Sequence, residues 1–401
     1  MQVLFMPGPL IVSIASKRLL DKEKILLASP KVGGLVLFSE NYDENAVDPK
    51  GDLKQLIQEI RAINPNIIIM LDHEGGIVWR FTKGFTKLPA AAEYGKLYDQ
   101  DKEAALKQAF EDGFIMAQEL LECGIDMSLA PVVDLDGPSN VIGKFFRAYH
   151  KDPRAVAAIA EHFIRGMNKA GMPATLKHFP GHGTCVLDSH VTRPEDKRSI
   201  LLLQEDLQPF KILIATDLIF TIMANFVVYP AVDQKNVAAF SELWLKGCLR
   251  TGYSFKNVIM SDCLHMKGAD VGENLARLEA AFAAGNDFLM YTHQHGQDLE
   301  NLLSVLDKIP DSVEAAERRM QLMTSIVRKI KPEINTLPLY AAMRNTEATH
   351  SLASVALGHE TPPTMRPTSP SVPPVSMAHD IEEPGANLKQ GTASKEPYSI
   401  I

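Results

Sequence analysis

Short apolar runs recur along the chain, and each is followed by a segment with helical periodicity. Eight of these runs are rich in β-branched residues, do not alternate strictly between apolar and polar positions, and often end in a polar residue. This pattern is typical of strands that are buried on both faces of a parallel sheet. The predicted strands are GPLIVSIA (8–15), VGGLVLF (32–38), NIIIMLD (66–72), DMSLAPVVD (126–134), ATLKHF (174–179), DLIFTIMAN (217–225), NVIMSD (257–262) and DFLMY (287–291).

Helical segments with clear start and stop signals separate several of these runs. In DPRAVAAIAEHFIRGMNKAG, Asp152 can cap the helix, Pro153 suits its first position, and Gly171 can close it. The segments 103–124 and 273–285 also end in glycine. Eight strands that alternate with helices predict an α/β fold of the (β/α)8 TIM-barrel type. An open doubly wound sheet is the alternative, but no GxGxxG motif follows the first strand.

The composition changes near Thr346. Residues 346–401 are rich in Pro, Ser and Thr and contain few large apolar side chains. Such a segment cannot bury enough apolar surface to offset the entropy lost on ordering, so we expect it to be disordered. We therefore predict a single catalytic barrel domain over residues 1–345 and a tail over 346–401. A structured or partner-docking tail is the alternative.

Bulk composition argues against several classes of protein. The net charge of −8 and the pI of about 5.9 argue against nucleic-acid binding. No apolar run reaches the roughly 18 residues of a membrane-spanning helix, so we expect no membrane partner. Four widely spaced cysteines form no CxxC pair, which favours a reducing compartment, the cytoplasm. The N-terminus lacks a basic region, so we interpret it as a first buried strand rather than a signal peptide.

Polar residues lie where three of the predicted strands end. Asp72 ends the third strand and Arg80 follows it, Lys177 and His178 end the fifth, and Asp262 ends the seventh. In a barrel, the C-terminal ends of the strands meet on one rim, where active sites form. We therefore expect these residues to share a rim that recognises a polyhydroxylated ligand through charge-assisted hydrogen bonds.

The stretch KHFPGHGTCVLDSH (177–190) concentrates titratable groups around a Pro-Gly turn. A metal cluster of its histidines, a phosphate cradle, an acid–base site and a merely polar loop are the alternatives. Asp188 and His190 are two residues apart, and in an extended loop this spacing directs both side chains to the same side. The carboxylate can then fix the tautomer of the imidazole and raise its pKa. A nucleophilic Asp262 facing such a proton donor is the arrangement of a retaining glycosidase.

Several longer motifs are spread over the chain, and together they resemble one known family. They are GGLVLFSENY (33–42), LDHEGGIVWRFTKGFTKLPAA (71–91), CGIDMSLAPVVDLD (123–136), RAYHKDP (147–153), KHFPGHG and DSH (177–190), SDCLHMKGA (261–269) and AAGNDFLMY (283–291). In these motifs the chain resembles the bacterial β-N-acetylhexosaminidases of glycoside hydrolase family 3, the single-domain type of peptidoglycan recycling. The most specific feature is KHFPGHG followed by DSH.

The resemblance implies a function and site residues. The implied enzyme removes non-reducing β-linked N-acetylglucosamine from 1,6-anhydro-N-acetylmuramyl peptidoglycan fragments, with retention, through a covalent glycosyl-enzyme. Its partner is thus a small carbohydrate; no cofactor and no metal are implied, and we expect a monomer. The implied residues are Asp262 as nucleophile, His190 as acid/base assisted by Asp188, and Asp72, Arg80, Arg147, Lys177 and His178 in sugar binding.

The chain departs from the family pattern near the implied nucleophile. Cys263 and His265 stand where the family usually has an acidic residue and a serine. After the sixth strand, Asn225 or Phe226 stands where a histidine is usual. These changes predict an altered environment for Asp262, with consequences for rate and working pH.

Two further departures lie elsewhere. The segment IGKFFR (142–147) replaces the usual IGDR, which we interpret as a two-residue insertion ahead of Arg147. Ile77 stands where an arginine is common.

Three other functions fit the same residues. A neutral imidazole repels an incoming phosphate less than a carboxylate does, so a β-N-acetylglucosaminide phosphorylase is one alternative. The changes beside Asp262 leave open a non-catalytic muropeptide-binding protein. A metal-dependent barrel hydrolase is the third alternative, and a chelator would abolish its activity.

Overall fold

A computed structural model of the protein describes residues 6–330. The strands in this range are β1 (Leu10–Val12), β2 (Val32–Leu37), β3 (Ile68–Leu71), β4 (His73–Gly75), β5 (Val78–Trp79), β6 (Met127–Ser128), β7 (Thr175–Phe179), β8 (Thr221–Ala224), β9 (Val258–Ser261) and β10 (Leu289–Met290). The helices are α1 (Asp21–Leu27), α2 (Pro49–Ile63), α3 (Ala91–Gln100), α4 (Lys102–Glu122), α5 (Pro153–Ala170), α6 (Ile200–Ile214), a π-helical segment (Leu243–Gly252), α7 (Asn274–Ala284), α8 (Gly296–Val305) and α9 (Val313–Ile330). Single 3₁₀ turns connect some of these elements.

The strands that alternate with helices pair in parallel, in two groups. β10, β1, β2, β3 and β6 form one sheet in that order, and β7, β8 and β9 form another. Parallel bridges lead from one group to the other. Val132, after β6, pairs with Lys177 of β7, and Met260 of β9 pairs with Phe288, just before β10. The predicted α/β class with a parallel sheet is confirmed.

Both faces of the parallel strands are buried. Leu35 and Ile69 pack outward, in a large apolar cluster that includes side chains of the surrounding helices. Their neighbours Val36 and Met70 belong to a second cluster, which also contains residues of β1, β6, β8, β9 and β10. The two groups of strands therefore share one inner apolar cluster, which explains why the runs lack polar alternation.

The helix signals read from the sequence are confirmed. The Asp152 carboxylate accepts a hydrogen bond from the backbone N–H of Arg154 at 2.8 Å and caps α5. Gly171, with φ of +108°, closes the same helix. α4 and α7 match the predicted segments 103–124 and 273–285 to within two residues at each end.

The structure differs from the sequence predictions in detail. Each predicted strand contains an observed strand, but several are shorter. The antiparallel pair β4–β5 was not predicted and follows β3 directly. Gly75 ends β4 and Gly76 lies in the turn, with φ of +100° and +59°. The predicted tail 346–401 lies outside the described residues, as does the end of the predicted domain 1–345.

Two further features concern membrane spans and disulfide bonds. None of the helices in the described part of the chain has the length and apolar character needed to cross a membrane. Cys123, Cys185, Cys248 and Cys263 are all unpaired.

Candidate active site

The residues predicted at strand ends gather on one side of the parallel sheets. Asp72 directly follows β3, Lys177 and His178 lie near the end of β7, and Asp262 directly follows β9. Because all of these strands run in parallel, their C-terminal ends open onto the same side of the sheets. Arg80 and Arg147 reach this side from the loops after β3 and β6, and each pairs with a carboxylate there.

A buried network of charges occupies part of this side. The Lys177 ammonium lies 2.6 Å from Asp72 Oδ1 and 2.6 Å from Glu74 Oε1. Glu74 also accepts two hydrogen bonds from Arg147, at 2.9 Å from Nε and 2.7 Å from Nη2. Such a bidentate contact fixes both side chains in one plane. Arg80 lies 3.7 Å from the other oxygen of Asp72.

The members of this network differ in their access to solvent. The side chains of Asp72 and Arg80 are 20% and 15% exposed, whereas that of Lys177 is 2% exposed. Burial alone raises the pKa of Asp72, but Lys177 and Arg80 outweigh it, and the net shift is downward. The pKa of Lys177 is raised because its two carboxylates outweigh its burial. Asp72 and Lys177 are therefore both charged, and Asp72 reaches the open side.

Asp134, at the end of the predicted fourth strand, organises the histidine-rich loop. It accepts a hydrogen bond from His178 Nδ1 at 2.7 Å and another from the backbone N–H of His182 at 2.8 Å. Burial raises the pKa of Asp134, but the contacts with His178 and His182 together outweigh it, and the net shift is downward. Because the carboxylate only accepts, His178 carries its proton on Nδ1 and leaves Nε2 as the other ring nitrogen for a ligand.

Asp188 and His190 are in contact, as their spacing predicted. His190 Nδ1 lies 2.6 Å from Asp188 Oδ1, and the backbone N–H of His190 donates to the same oxygen at 2.8 Å. The contact forms without an extended loop, because Asp188 begins a turn in which its carbonyl accepts a hydrogen bond from the backbone N–H of Thr192. The bonds from His190 outweigh burial and lower the pKa of Asp188, so the carboxylate is ionised.

The loop that carries His190 docks against the loop that follows Asp262. The backbone N–H of Lys267 donates to the carbonyl of His190 at 3.0 Å, and that of Gly268 donates to the carbonyl of Ser189 at 2.9 Å. A Cβ at Gly268 would lie only 3.0 Å from the Ser189 oxygen, so glycine permits this approach. The docking brings the Asp188–His190 pair next to the segment of Asp262.

The altered neighbours of Asp262 have internal partners. The backbone N–H of Cys263 donates to Asp262 Oδ1 at 2.7 Å. The Cys263 thiol contacts the hydroxyl of Thr292 at 3.0 Å, and burial raises the thiol pKa, so it stays neutral. The ring of His265 stacks on Tyr291 at 5.6 Å. The acidic neighbour usual in the family is thus replaced by a neutral group that points to another loop.

Asn225 and Phe226, the candidates for the family's histidine position, are both buried. The Asn225 amide donates to the carbonyl of His178 at 3.0 Å and to the hydroxyl of Tyr229 at 2.9 Å. Asn225 therefore stabilises the turn after β7 through these hydrogen bonds.

The histidines at positions 178, 182 and 190 have three different partners. His178 binds Asp134, His182 contacts the hydroxyl of Ser189 at 3.1 Å, and His190 binds Asp188. Within residues 6–330, no group of three or more His, Cys, Asp or Glu side chains is arranged to hold a metal ion.

Glu74 and Asp134 were missed by the sequence analysis. Both lie inside motifs that had been singled out, LDHEGG and APVVDLD. The available signals were that Glu74 stands two residues after Asp72 and that Asp134 ends a predicted strand.

The chain is similar to known proteins over most of its length. The profile described as the glycosyl hydrolase family 3 N terminal domain matches residues 8–330. A β-hexosaminidase of Neisseria meningitidis serogroup A is 43% identical over 316 residues, which cover 78% of this chain and 84% of the relative. The crystal structure of native NagZ from Neisseria gonorrhoeae has a TM-score of 0.73 and 38% identity, and the match covers 85% of this chain and 97% of that one.

A second structure of the gonococcal NagZ contains a sugar derivative. It is a complex with N-trifluoroacetyl-D-glucosamine, with a TM-score of 0.73 and 38% identity over 86% of this chain and 98% of that one. The resemblance drawn from the sequence motifs is confirmed by these matches. The chain therefore belongs to glycosyl hydrolase family 3, as a glycosidase similar to the bacterial β-hexosaminidases.

Proposed function

We propose that this protein is a retaining exo-β-N-acetylglucosaminidase. The similarity to β-hexosaminidases, and the glucosamine derivative bound by one relative, support the choice of sugar. The observation that carries the mechanism is the Asp188–His190 pair at 2.6 Å, on a loop whose backbone is bonded to the loop after Asp262.

In the first step, a carboxylate oxygen of Asp262 attacks the anomeric carbon as the bond to the leaving oxygen breaks. His190 gives its Nε2 proton to that oxygen, because its Nδ1–H is held by Asp188. The ionised Asp188 stabilises the imidazolium that donates this proton. In the second step, water attacks the anomeric carbon, its proton passes to His190 Nε2, and the Asp262 carboxylate leaves. The two displacements retain the configuration.

The charged network is suited to bind the hydroxyl groups of the sugar. Asp72 and Arg80 reach the open side, and each charge-assisted hydrogen bond contributes about 1.5–3 kcal/mol. Lys177 has three N–H donors, two of which point to Asp72 and Glu74, so one remains for a hydroxyl. Arg147 acts mainly by holding Glu74, and His178 offers Nε2.

We infer that the parallel strands close into a (β/α)8 barrel. The order of the strands, the bridges Val132–Lys177 and Met260–Phe288, and the shared inner apolar cluster support closure. The site would then lie at the C-terminal rim, as in other barrel enzymes.

The natural substrate that we propose is the 1,6-anhydro-N-acetylmuramyl fragment of peptidoglycan. This choice is supported by the motifs shared with the recycling enzymes. The four unpaired cysteines suit the reducing compartment in which such an enzyme would work.

The test is hydrolysis of a chromogenic N-acetyl-β-glucosaminide in phosphate-free buffer with a chelator. We expect Asp262→Ala to abolish turnover and His190→Ala to lower it by about 10²–10⁴-fold. Asp307→Ala, at an exposed position, is the control and should retain full activity.

Each contrary result either excludes the proposed nucleophile or indicates another function. A fully active Asp262→Ala protein excludes the proposed nucleophile. Release of sugar 1-phosphate when phosphate is added indicates a phosphorylase. Tight sugar binding without turnover indicates a binding protein, and activity that is lost in chelator indicates a metal-dependent hydrolase.

A further inference from the structure

Phe146, in the inserted segment ahead of Arg147, is unfavourably placed in two respects. Its φ of +58° and ψ of +29° lie in the left-handed region, which a bulky side chain rarely adopts. Its side chain is also 57% exposed, so packing within the described structure does little to favour it there. Strained residues of this kind cluster at functional sites, which directs attention to what Phe146 could contact.

The position of Phe146 is fixed next to the charged network. Its neighbour Arg147 is bound by Glu74 through two hydrogen bonds. Its own carbonyl accepts a hydrogen bond from the backbone N–H of Ala92, at the start of α3, at 3.2 Å. The side chain therefore stands at the solvent edge of the loop that contributes Arg147 to the site.

Two loops that adjoin the loop of Phe146 carry exposed apolar residues. In the first, Ile77 is 56% exposed at the tip of the β4–β5 hairpin. The adjacent Gly76 would bring a Cβ within 3.0 Å of Ala90, two residues before the Ala92 that binds Phe146. The backbones next to Ile77 and at Phe146 therefore both contact the chain at the start of α3.

The second loop, which carries His190, packs on the loop of Phe146. The backbone N–H of Ser139 donates to the carbonyl of Gly183 at 3.0 Å. A few residues further along the His190 loop, Val186 and Leu187 are 49% and 54% exposed. Three adjoining loops, after β3, β6 and β7, thus each carry exposed apolar side chains, and the last of them also carries the candidate acid/base.

We propose that Phe146, with Ile77, Val186 and Leu187, forms a subsite for an apolar leaving group. This inference rests on the proposed function. The charged network suits the sugar hydroxyls, whereas these apolar side chains are exposed, and two of them lie on the loop of His190, the proposed donor of the proton to the leaving oxygen. Among β-N-acetylglucosaminides, the proposed muramyl fragments included, those whose aglycone presents an apolar surface next to the scissile bond should therefore be preferred, and an aryl or alkyl aglycone is the simplest probe.

The experiment compares kcat/KM for phenyl and 4-butylphenyl N-acetyl-β-glucosaminides. A para-alkyl chain hardly changes the acidity of the phenol, so the ratio reports contact with the chain. We expect the butyl chain to raise kcat/KM by about 10-fold in the wild type, from burial of part of the chain. In Phe146→Asn the ratio should fall to within about 2-fold of one, and the variant should fold because asparagine tolerates the left-handed region.

The control is Val47→Asn, at a fully exposed apolar residue that is not part of the proposed subsite, and it should keep the wild-type ratio. The melting temperature of each variant is measured in parallel. A wild-type ratio near one, with both glycosides hydrolysed, overturns the subsite and leaves the proposed function intact; that result would fit a protein partner for this surface instead. A high ratio that survives in a folded Phe146→Asn also overturns it. If neither glycoside is hydrolysed, both the subsite and the proposed function are overturned.

Discussion

Glu74 holds two buried cations of the site, Arg147 and Lys177. It takes both hydrogen bonds of the Arg147 fork and one from Lys177, and its side chain is 7% exposed. Burial raises the pKa of Glu74, but Arg147 and Lys177 outweigh it, and the net shift is strongly downward. Glu74 is therefore ionised, and it positions Lys177 toward Asp72 without needing to touch a substrate.

Glu74→Gln should destabilise the protein and weaken substrate binding. The amide leaves Arg147 and Lys177 buried with one negative charge fewer, and breaking a buried ion pair costs about 3–5 kcal/mol. We expect a loss of this order in the free energy of unfolding measured with urea, together with a lower kcat/KM.

The matched control is Glu93→Gln. Glu93 pairs with Lys96 at 2.7 Å, but the two side chains are 55% and 63% exposed, so the loss should stay below about 1 kcal/mol. Equal effects of the two substitutions would show that the Glu74 network has no special role.

The sequence located several residues at strand ends but missed two of the buried carboxylates that hold them in place. Asp72, Lys177 and Asp262 were found because parallel strands place their last residues on one side of a sheet. Glu74 and Asp134 were missed because their roles depend on partners 73 and 44 residues away along the chain. No local periodicity reports such contacts.

At the scale of the elements, the loop between β7 and α6 carries His190, and both of its ends are held by contacts with Asp206. Arg198 binds Asp196 at 2.6 Å and Asp206, on α6, at 2.7 Å. Asp206 in turn packs beneath Gly181, at the start of the loop, where a Cβ would lie 2.6 Å from the Asp206 Cβ. In between, the loop contacts Lys267 and Gly268 through its backbone.

Gly268→Ala should disturb the docking of this loop. The new methyl group would lie 2.8 Å from the Phe226 side chain and 3.0 Å from the Ser189 oxygen, so the loop must shift. We expect kcat to fall by about 10–100-fold with a small change in KM, because displacement of an acid/base group affects chemistry more than binding.

Gly247→Ala, in the π-helical segment, is the control. Its nearest neighbour would be 3.8 Å away, so steady-state rates should stay at the wild-type level. An unchanged kcat in a folded Gly268→Ala protein would contradict the role of loop docking.

The contribution of Asp206 to the stability of the protein should depend on pH. Burial raises the pKa of Asp206 to about 6, against the opposing effect of Arg198. Between its unfolded pKa, about 3.9, and 6, the folded protein binds a proton that the unfolded chain has lost, so stability falls as the pH rises.

Asp206→Asn removes this dependence. Between pH 4 and pH 6.5, the unfolding free energy of the variant should rise by about 1–3 kcal/mol relative to that of the wild type. Urea unfolding at a series of pH values measures the difference, with Asp307→Asn as an exposed control that shows no trend. A difference between Asp206→Asn and wild type that is independent of pH would argue against a raised pKa.

At the scale of the whole molecule, the order of strands and helices was predictable and the details of their ends were not. Strands buried on both faces have an unmistakable apolar composition, so all eight parallel strands were found. The β4–β5 hairpin was missed because HEGGIVWR is short, polar and rich in glycine. The observed strands are shorter than the apolar runs, since residues beyond the ladders are buried by loops and helices.

In the mechanism that we propose, Asp262 forms a covalent bond to the sugar while His190 donates and then accepts the proton. The most direct measurement is mass spectrometry of the protein after reaction with a 5-fluoro-N-acetylglucosaminyl fluoride, a substrate that forms the glycosyl-enzyme and releases it slowly. We predict that fluoride leaves, that the protein gains the mass of one sugar residue, and that the modified peptide contains Asp262. Hydrolysis of this reagent without any adduct, or an adduct on another residue, would contradict the account.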